Sequence, residues 1–294
     1  MAARARRDLR ERMQEAALTS WEEVGNEDLA IFRIARTDGE PFFQFRAGQY
    51  AQLAFWDQPD GDPRPRQLSI ASAPYDRSEL EFYVVLVRDG GPDGESLGYF
   101  TGTLWQHRNV GDTLLFMGPA GRFDLERTSE AEVICVATGT GLAPYVAMAR
   151  QARSELEEGV LPERRLTVIH GVSYARELGY RAELEELAAI PELGLTYIPT
   201  VSRPDSDPDF EPSLARGRAN DVLRLLLDCP PSGRVEPQLP DGHGEVIKDR
   251  LGPGRSAFYL CGNPDMISDL KEALGPLGYQ LSGRGAQVIT EDYW

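Results

Sequence analysis

A glycine-rich turn is the segment whose residue types point most directly to chemistry. It lies in VICVATGTGLAPY, residues 133–145, where an apolar run meets Gly139–Gly141 and Pro144 then opens a helical pattern. Glycines let a backbone approach a phosphate, and a helix N-terminus offers free N–H groups and a partial positive charge. A purely structural turn is the alternative. The flanking strand and helix patterns favour a phosphate or dinucleotide cradle.

A second glycine turn comes after another apolar run, at Cys261-Gly262-Asn263-Pro264. Parallel sheets bind their ligands at the carboxyl ends of their strands. Two glycine turns at strand ends therefore predict one shared cleft.

A third candidate is RQLS, residues 66–69. Arg66 offers a fork of donors to a diphosphate, and Ser69 offers a hydroxyl to a ring nitrogen. An arginine beside a serine on a solvated strand edge is the alternative. Two later segments favour the functional interpretation: Glu81-Phe82-Tyr83 on the next strand, and GYFTGTL at 98–104, which is typical of a helix start at a second phosphate site.

Two sequence patterns describe the elements that must position these residues. Residues 29–123 have short strands and turns, typical of an antiparallel β-barrel or sandwich. Beyond Glu130, strands alternate with helices, which predicts an α/β doubly wound parallel sheet. We predict an N-terminal extension over 1–17, with a short surface helix over 1–13, a first domain over 18–128 and a second over 129–294. The predicted strands are 31–34, 50–55, 67–71, 80–87, 113–118, 132–137, 166–171 and 257–261, and the predicted helices are 143–157, 181–189 and 264–274.

Two segments fit neither pattern and are predicted to be surface loops. Residues 204–213, PDSDPDFEPS, carry three prolines and four acids, and residues 229–254 are rich in Pro and Gly.

Composition narrows the classes of function. A length of 294 residues suits two domains, and no apolar run approaches the roughly 20 residues of a membrane span. The net charge of -16 argues against nucleic-acid binding.

The cysteines Cys135, Cys229 and Cys261 form no CxxC pair, so we expect no metal centre and a reducing cytoplasm. The N-terminus matches neither a signal nor a transit peptide.

In order and spacing, these motifs resemble the ferredoxin–NADP reductase superfamily, over about residues 18–294. The matching segments are Phe45-x-x-Gly48-Gln49-Tyr50, Arg66-x-Leu68-Ser69, 138–144, His170-Gly171-Val172 with Leu184, 260–266 and Glu291-Asp292-Tyr293-Trp294. The C-terminal ending and the lack of a cluster domain are most similar to the bacterial ferredoxin or flavodoxin reductases. The resemblance implies an FAD-binding barrel followed by an NADP(H)-binding α/β domain.

The resemblance also implies site residues. FAD contacts fall on Arg66, Gln67, Leu68, Ser69, Tyr83, Thr101, Gly102 and Thr103. Dinucleotide contacts fall on Thr138, Gly139, Thr140, Gly141, Ser202, Arg203, Arg218, Cys261 and Asn263, with Tyr293 and the ring of Trp294 at the flavin or adenine. The implied catalytic residues are Ser69, near flavin N5, and Cys261 and Glu291, beside the nicotinamide. A buried strand-end thiol for Cys261 and a C-terminal anchor for Trp294 remain alternatives.

Departures from the family pattern affect both cofactors. Leu68 stands where an aromatic residue is usual, which weakens stacking on that flavin face. Ser173 replaces an expected arginine, although Arg176 lies three residues further on. Arg203 and Arg218 match the family's contacts to the NADP 2′-phosphate and favour NADPH over NADH. Solvated surface charges are the alternative for both arginines.

The implied function is a flavoprotein oxidoreductase that exchanges a hydride between NADP(H) and FAD and single electrons with ferredoxin or flavodoxin. A monomer is expected. The alternatives are a reductase component of an oxygenase, a free-flavin reductase, or a flavin-bound electron-transfer or regulatory subunit.

Overall fold

The computed structural model describes residues 11–56, 63–88, 97–240, 242 and 244–292, and the chain divides into two compact units between Arg122 and Phe123. The first unit contains strands β1 Gln14–Glu23, β2 Leu29–Arg36, β3 Tyr50–Ala54, β4 Arg66–Ser69, β5 Glu79–Val85 and β6 Thr113–Ala120, and helix α1 Tyr99–Gln106. The second contains strands β7 Glu132–Thr138, β8 Arg165–Val172, β9 Leu195–Val201, β10 Ala215–Arg216, β11 Ser256–Gly262 and β12 Val288–Asp292, and helices α2 Ala143–Glu157, α3 Arg181–Ala188, α4 Ala219–Leu226, α5 Gly244–Lys248 and α6 Pro264–Leu274. An antiparallel unit followed by a parallel α/β unit confirms the predicted fold class.

The first unit is a six-stranded antiparallel barrel with the strand order β4-β3-β6-β1-β2-β5. Alternate residues point inward, so that Phe32 on β2 is in register with Phe82 on β5 and their ring centroids lie 5.2 Å apart in the core. The two edge strands meet just beyond β4, where the Ala71 N–H donates to the Glu81 carbonyl oxygen at 2.8 Å. This bond helps to close the barrel.

Strand β1 is absent from the predicted strands, although it pairs with both β2 and β6 and is integral to the barrel. Its first residues, 14–17, belong to this strand and not to an N-terminal extension. Only Ala16 and Leu18 of this strand are buried, so the alternation of apolar residues is too weak to recognise.

The second unit is built on a parallel sheet with the order β10-β9-β8-β7-β11-β12. Strand β7 is buried on both faces, which explains its continuous apolar sequence. The chain moves outward from β7 through β8, β9 and β10, and then returns to β11 on the other side of β7. The carboxyl ends of β7 and β11 therefore flank the point where strand order reverses, which is the usual ligand site of such sheets.

The two predicted surface loops are more ordered than expected. In the first, Asp207 is buried and accepts a hydrogen bond from the Ala175 N–H at 2.6 Å, while Phe210 packs against a small apolar cluster. In the second, Gln238 forms a bridge with Arg216 at the sheet edge, and helix α5 buries Ile247. Single anchoring residues and one short helix leave no periodic signal in sequence, which is why the prediction missed them.

Candidate functional site

The two glycine turns lie against each other, as predicted. The Asn263 N–H donates to Thr138 Oγ1 at 2.8 Å, and a Cβ at Gly141 would stand 2.7 Å from the carbonyl carbon of Cys261. A Cβ at Gly262, where φ is +122°, would likewise collide with Thr138. Glycine is therefore needed at both positions, because any side chain would push the ends of β7 and β11 apart.

The outer side of the first turn is open. Gly139 has a φ of +52°, and among the described residues a Cβ there would meet nothing within 4 Å beyond its chain neighbours. Residues Gly139–Leu142 form a 3₁₀ turn that leads into α2. The first N–H groups of such a turn have no intrahelical acceptor, so they suit a phosphate.

Below this turn lies His170, a fully buried side chain on β8. Its Nε2 is 3.2 Å from the Gly139 carbonyl oxygen, and its Nδ1 is 3.2 Å from the Tyr197 hydroxyl. Burial lowers the pKa of His170 to about 4, so the ring is neutral at pH 7. In the sequence, His170 is visible only as part of the His-Gly-Val strand motif, with no sign of its contact with Gly139.

The nicotinamide-side residues lie at the ends of β11 and β12. Cys261 is fully buried, in register with Ala137 on one side and Glu291 on the other, and Glu291 is half-buried. Asn263 accepts a hydrogen bond from the Asp265 N–H at 2.7 Å and so caps α6. Tyr293 and Trp294 lie outside the described residues.

Beyond β8 and β9 lies a cluster of two guanidinium groups around one phenol. The Arg203 Nη1 donates to the Tyr174 hydroxyl at 3.3 Å, and the guanidinium carbons of Arg203 and Arg176 lie 5.5 and 4.8 Å from the Tyr174 ring centroid. The hydrogen bond from Arg203 lowers the pKa of Tyr174. Both arginines are exposed, so the cluster offers positive charge to solvent.

Arg218 and Ser202 belong to the same edge of the sheet. Arg216 on β10 is in register with Val201 on β9, and Arg218 and Arg203 each lie two residues beyond that pair. Arg218 is exposed at the N-cap of α4. Ser202 is held by its N–H, which donates to the Val172 carbonyl oxygen at 2.9 Å.

The acidic loop between these arginines does not neutralise Arg203. Asp205 pairs with Arg216 at 2.8 Å, and Glu211 pairs with Arg181 at 3.1 Å. Asp207 is buried against the backbone. Within the described chain, the bonding partner of Arg203 is Tyr174 rather than any of the loop's carboxylates.

In the first unit, the predicted flavin residues lie along β4 and β5. Arg66 and Gln67 are exposed, whereas Ser69 is buried and in register with Tyr50. Leu68 is partly buried against the barrel core. Tyr83 is buried on β5, in register with Ile31 on β2.

Helix α1 supplies a second N-terminus, with no acidic residue in its first turn and no side-chain cap. The Thr101 hydroxyl accepts from the Val87 N–H at 3.1 Å, and the Thr103 hydroxyl donates to the Tyr99 carbonyl oxygen at 2.9 Å. Both hydroxyls are thus committed to backbone, and the Gly102 N–H already donates to the Gly98 carbonyl oxygen at 2.6 Å. The N–H groups of Phe100 and Thr101 are therefore the donors left in the first turn of the helix.

Arg64 is a further candidate that the flavin motif did not include. Its guanidinium carbon lies 5.2 Å from the centroid of the Tyr99 ring, at the first residue of α1. This contact brings the segment before β4 to the helix N-terminus. The positive charge and the free N–H groups therefore converge on one point of the first unit.

The described residues contain neither a membrane-spanning helix nor a cluster of metal ligands. None of their helices is both long and apolar enough to cross a bilayer. Nor does the described part of the chain bring three or more His, Cys, Asp or Glu side chains together as a metal site would require.

An antiparallel barrel followed by a parallel sheet with a glycine cradle at its switch point defines a class of two-domain dinucleotide-binding proteins. Residues 135–221 match the oxidoreductase NAD-binding domain family. Ferredoxin–NADP reductase B of Sorangium cellulosum is 31% identical over 83% of this chain and 84% of its own length. The chain belongs to the ferredoxin–NADP reductase superfamily, which confirms the resemblance seen in its motifs.

Two other relatives are about twice as long as the segment that this chain matches. The reductase component of phenol 2-monooxygenase from Pseudomonas sp. strain CF600 is 29% identical over 76% of this chain, which spans 51% of that protein. The chain likewise spans about half of a flavohemoprotein from Rhizobium meliloti. A ferredoxin NADP+ reductase from Neisseria gonorrhoeae, solved with FAD and NADP, has a similar fold, with a TM-score of 0.70 at 24% identity over 96% of this chain and 99% of its own.

Proposed function

We propose that this protein is an FAD-dependent oxidoreductase that takes a hydride from NADPH and passes single electrons to a ferredoxin or flavodoxin. The observation that carries the proposal is the open glycine turn of β7, locked against the end of β11 at the switch point of the sheet. A dinucleotide pyrophosphate is the ligand that such a turn suits.

FAD fits the first unit. Arg64, Arg66 and the N-terminus of α1 offer positive charge and N–H donors to a diphosphate. Ser69 is buried and in register with Tyr50, and its hydroxyl is proposed to contact a flavin ring nitrogen. Gln67, Tyr83 and the backbone of Thr101–Thr103 are proposed as further contacts, and Leu68 as the apolar contact to the ring.

NADPH fits the second unit. The 2′-phosphate would take the exposed guanidinium groups of Arg203 and Arg176, with Ser202 and Arg218 at the same edge. NADH lacks that phosphate and would gain nothing from these arginines. The proposal of NADPH preference is strengthened because two acids of the neighbouring loop, Glu211 and Asp205, are paired with Arg181 and Arg216 instead.

The flavin and the nicotinamide supply the redox chemistry when bound, and the protein binds and orients them. Cys261, buried between β7 and β12, and half-buried Glu291 are proposed to shape the nicotinamide position. Ser69 is proposed to hold the reacting edge of the flavin. None of these residues needs to act as a general base, because hydride transfer between the two rings requires no proton abstraction by the protein.

Anaerobic stopped-flow measurements with FAD-loaded protein and NADPH identify the acceptor. They compare the rates at which a ferredoxin, a flavodoxin and free FMN are reduced. Reduction of a ferredoxin or flavodoxin at least about tenfold faster than of free FMN supports the proposal. The similarity to the reductase component of phenol 2-monooxygenase supports a second candidate function, the reductase component of an oxygenase. Reduction of free flavin alone would contradict both carrier-based functions. Because the net charge is -16, each carrier is assayed at low and high salt.

A further inference from the structure

Packing fixes the glycine turn after β7 at Gly141 but not at Gly139. Gly141 lies hard against the backbone of Cys261, whereas the Cβ position of Gly139 is open. With its φ of +52°, the Gly139 peptide could rotate unless something else fixed it. A hydrogen bond must therefore set the direction of this peptide.

His170 supplies that bond. A carbonyl oxygen can only accept, so the 3.2 Å contact with Gly139 requires the proton to be on His170 Nε2. His170 Nδ1 then carries the lone pair and accepts from the Tyr197 hydroxyl, 3.2 Å away. The Tyr197 hydroxyl can donate, so it supports the tautomer that the Gly139 carbonyl requires.

The direction of the bond decides what the turn presents to a ligand. In a trans peptide, the carbonyl and the N–H of the next residue point in opposite directions. Because the Gly139 carbonyl points inward to His170, the Thr140 N–H points outward, to the open side of the turn. That N–H belongs to the first turn of a helical segment and has no intrahelical acceptor.

We propose that His170 is a positioning residue for dinucleotide binding: by holding the Gly139 carbonyl, it aims the Thr140 N–H at a phosphate of the ligand. Tyr197 acts through His170 by donating to the Nδ1 of this tautomer. The inference rests on the proposed NADP(H) site and adds two buried residues that do not touch the ligand. Burial keeps the ring neutral and so keeps Nδ1 an acceptor.

Four variants separate this role from a general effect on stability. His170→Gln retains an N–H donor close to the Nε2 position, and His170→Leu removes it. Tyr197→Phe removes the donor to Nδ1. Tyr279→Phe is the matched control, since it deletes a buried hydroxyl that bonds Ser256 Oγ at 3.2 Å, at the amino end of β11.

The first test is calorimetric titration of the FAD-loaded variants with NADP+ and with 2′-AMP, which lacks the pyrophosphate. We expect His170→Leu to weaken NADP+ binding about tenfold and to leave 2′-AMP binding unchanged. His170→Gln and the control should stay within about threefold of wild type, and Tyr197→Phe should fall between. Equal NADP+ binding by wild type and His170→Leu would overturn the inference. An equal loss of both ligands would also overturn it, because the effect would then be merely structural.

The second test needs no ligand and does not depend on the Leu variant folding. In ¹⁵N-histidine NMR at pH 7, the resonances lost in His170→Gln should show a protonated Nε2 and an unprotonated Nδ1. The opposite tautomer, or a charged ring, would overturn the inference. Failure of wild type to bind NADP+ while the tautomer is as expected would instead overturn the proposed function.

Discussion

Gly141 lies directly against the backbone of Cys261, since a Cβ at Gly141 would stand 2.7 Å from the Cys261 carbonyl carbon. Gly141→Ala should therefore spread the ends of β7 and β11, and we expect strain of about 1–3 kcal/mol to weaken NADP+ binding by about fivefold or more. Titration calorimetry measures the change. Gly244→Ala is the control, because its Cβ would make only an ordinary contact with Leu239 at 3.7 Å. Unchanged binding by Gly141→Ala would show that the turn is not part of the site.

Coenzyme preference should depend on Arg203. Its guanidinium is exposed and bonds Tyr174 rather than a carboxylate, so Arg203→Gln should raise the KM for NADPH about tenfold while the KM for NADH stays unchanged. Steady-state kinetics with both coenzymes checks this. Arg153→Gln removes a partly exposed arginine that pairs with Glu157 on α2 and should change neither KM. An equal rise in the KM values for NADPH and NADH would contradict a contact between Arg203 and the 2′-phosphate.

FAD affinity should depend on Arg64. Its charge lies over Tyr99 at the start of α1, so Arg64→Gln should weaken FAD binding about fivefold. Quenching of flavin fluorescence on binding gives the dissociation constant. Arg88→Gln is the matched control in the same unit, since that exposed arginine pairs with Asp28 at 2.6 Å. An Arg64 variant that binds FAD like the control would place the diphosphate elsewhere.

Stability should fall in mild acid because of His170. Its folded pKa of about 4 lies below the ordinary value of 6.5, so the unfolded chain binds a proton that the folded chain does not. Above pH 6.5 His170 is neutral in both the folded and the unfolded chain, so its protonation does not change the free energy of unfolding. Between pH 6.5 and 4 the folded state should lose up to about 3 kcal/mol relative to the unfolded state.

Urea unfolding of wild type and His170→Gln at pH 7 and pH 4.5 isolates this effect. The unfolding free energy of wild type should fall more than that of the variant, which lacks the titrating ring. An equal fall in both proteins would assign the acid sensitivity to other groups.

Sequence alone predicted the helices of the site well. The bounds 143–157 and 264–274 match the structure because each helix has strong start signals, with Pro144 in the first turn of one and Asn263 capping the other. Both glycine turns were also predicted, since each comes directly after a continuous apolar strand.

The features that the sequence did not predict depend on contacts between residues that are distant along the chain. Arg64 meets Tyr99, and His170 meets Gly139, across stretches of chain that carry no local signal. Strand β1 has a weak alternation, and its place in the barrel is set by pairing with β2 and β6. Glu211 and Asp205 of the loop at 204–213 form ion pairs with Arg181 and Arg216, which composition could not reveal.

The most direct test of the central claim is the absorbance spectrum of the purified, FAD-supplemented protein during anaerobic titration with NADPH and, separately, with NADH. We expect a bound-flavin spectrum that one equivalent of NADPH bleaches, and a clearly weaker response to NADH. A protein that retains no flavin after FAD is added, or a bound flavin that neither coenzyme bleaches, would contradict it.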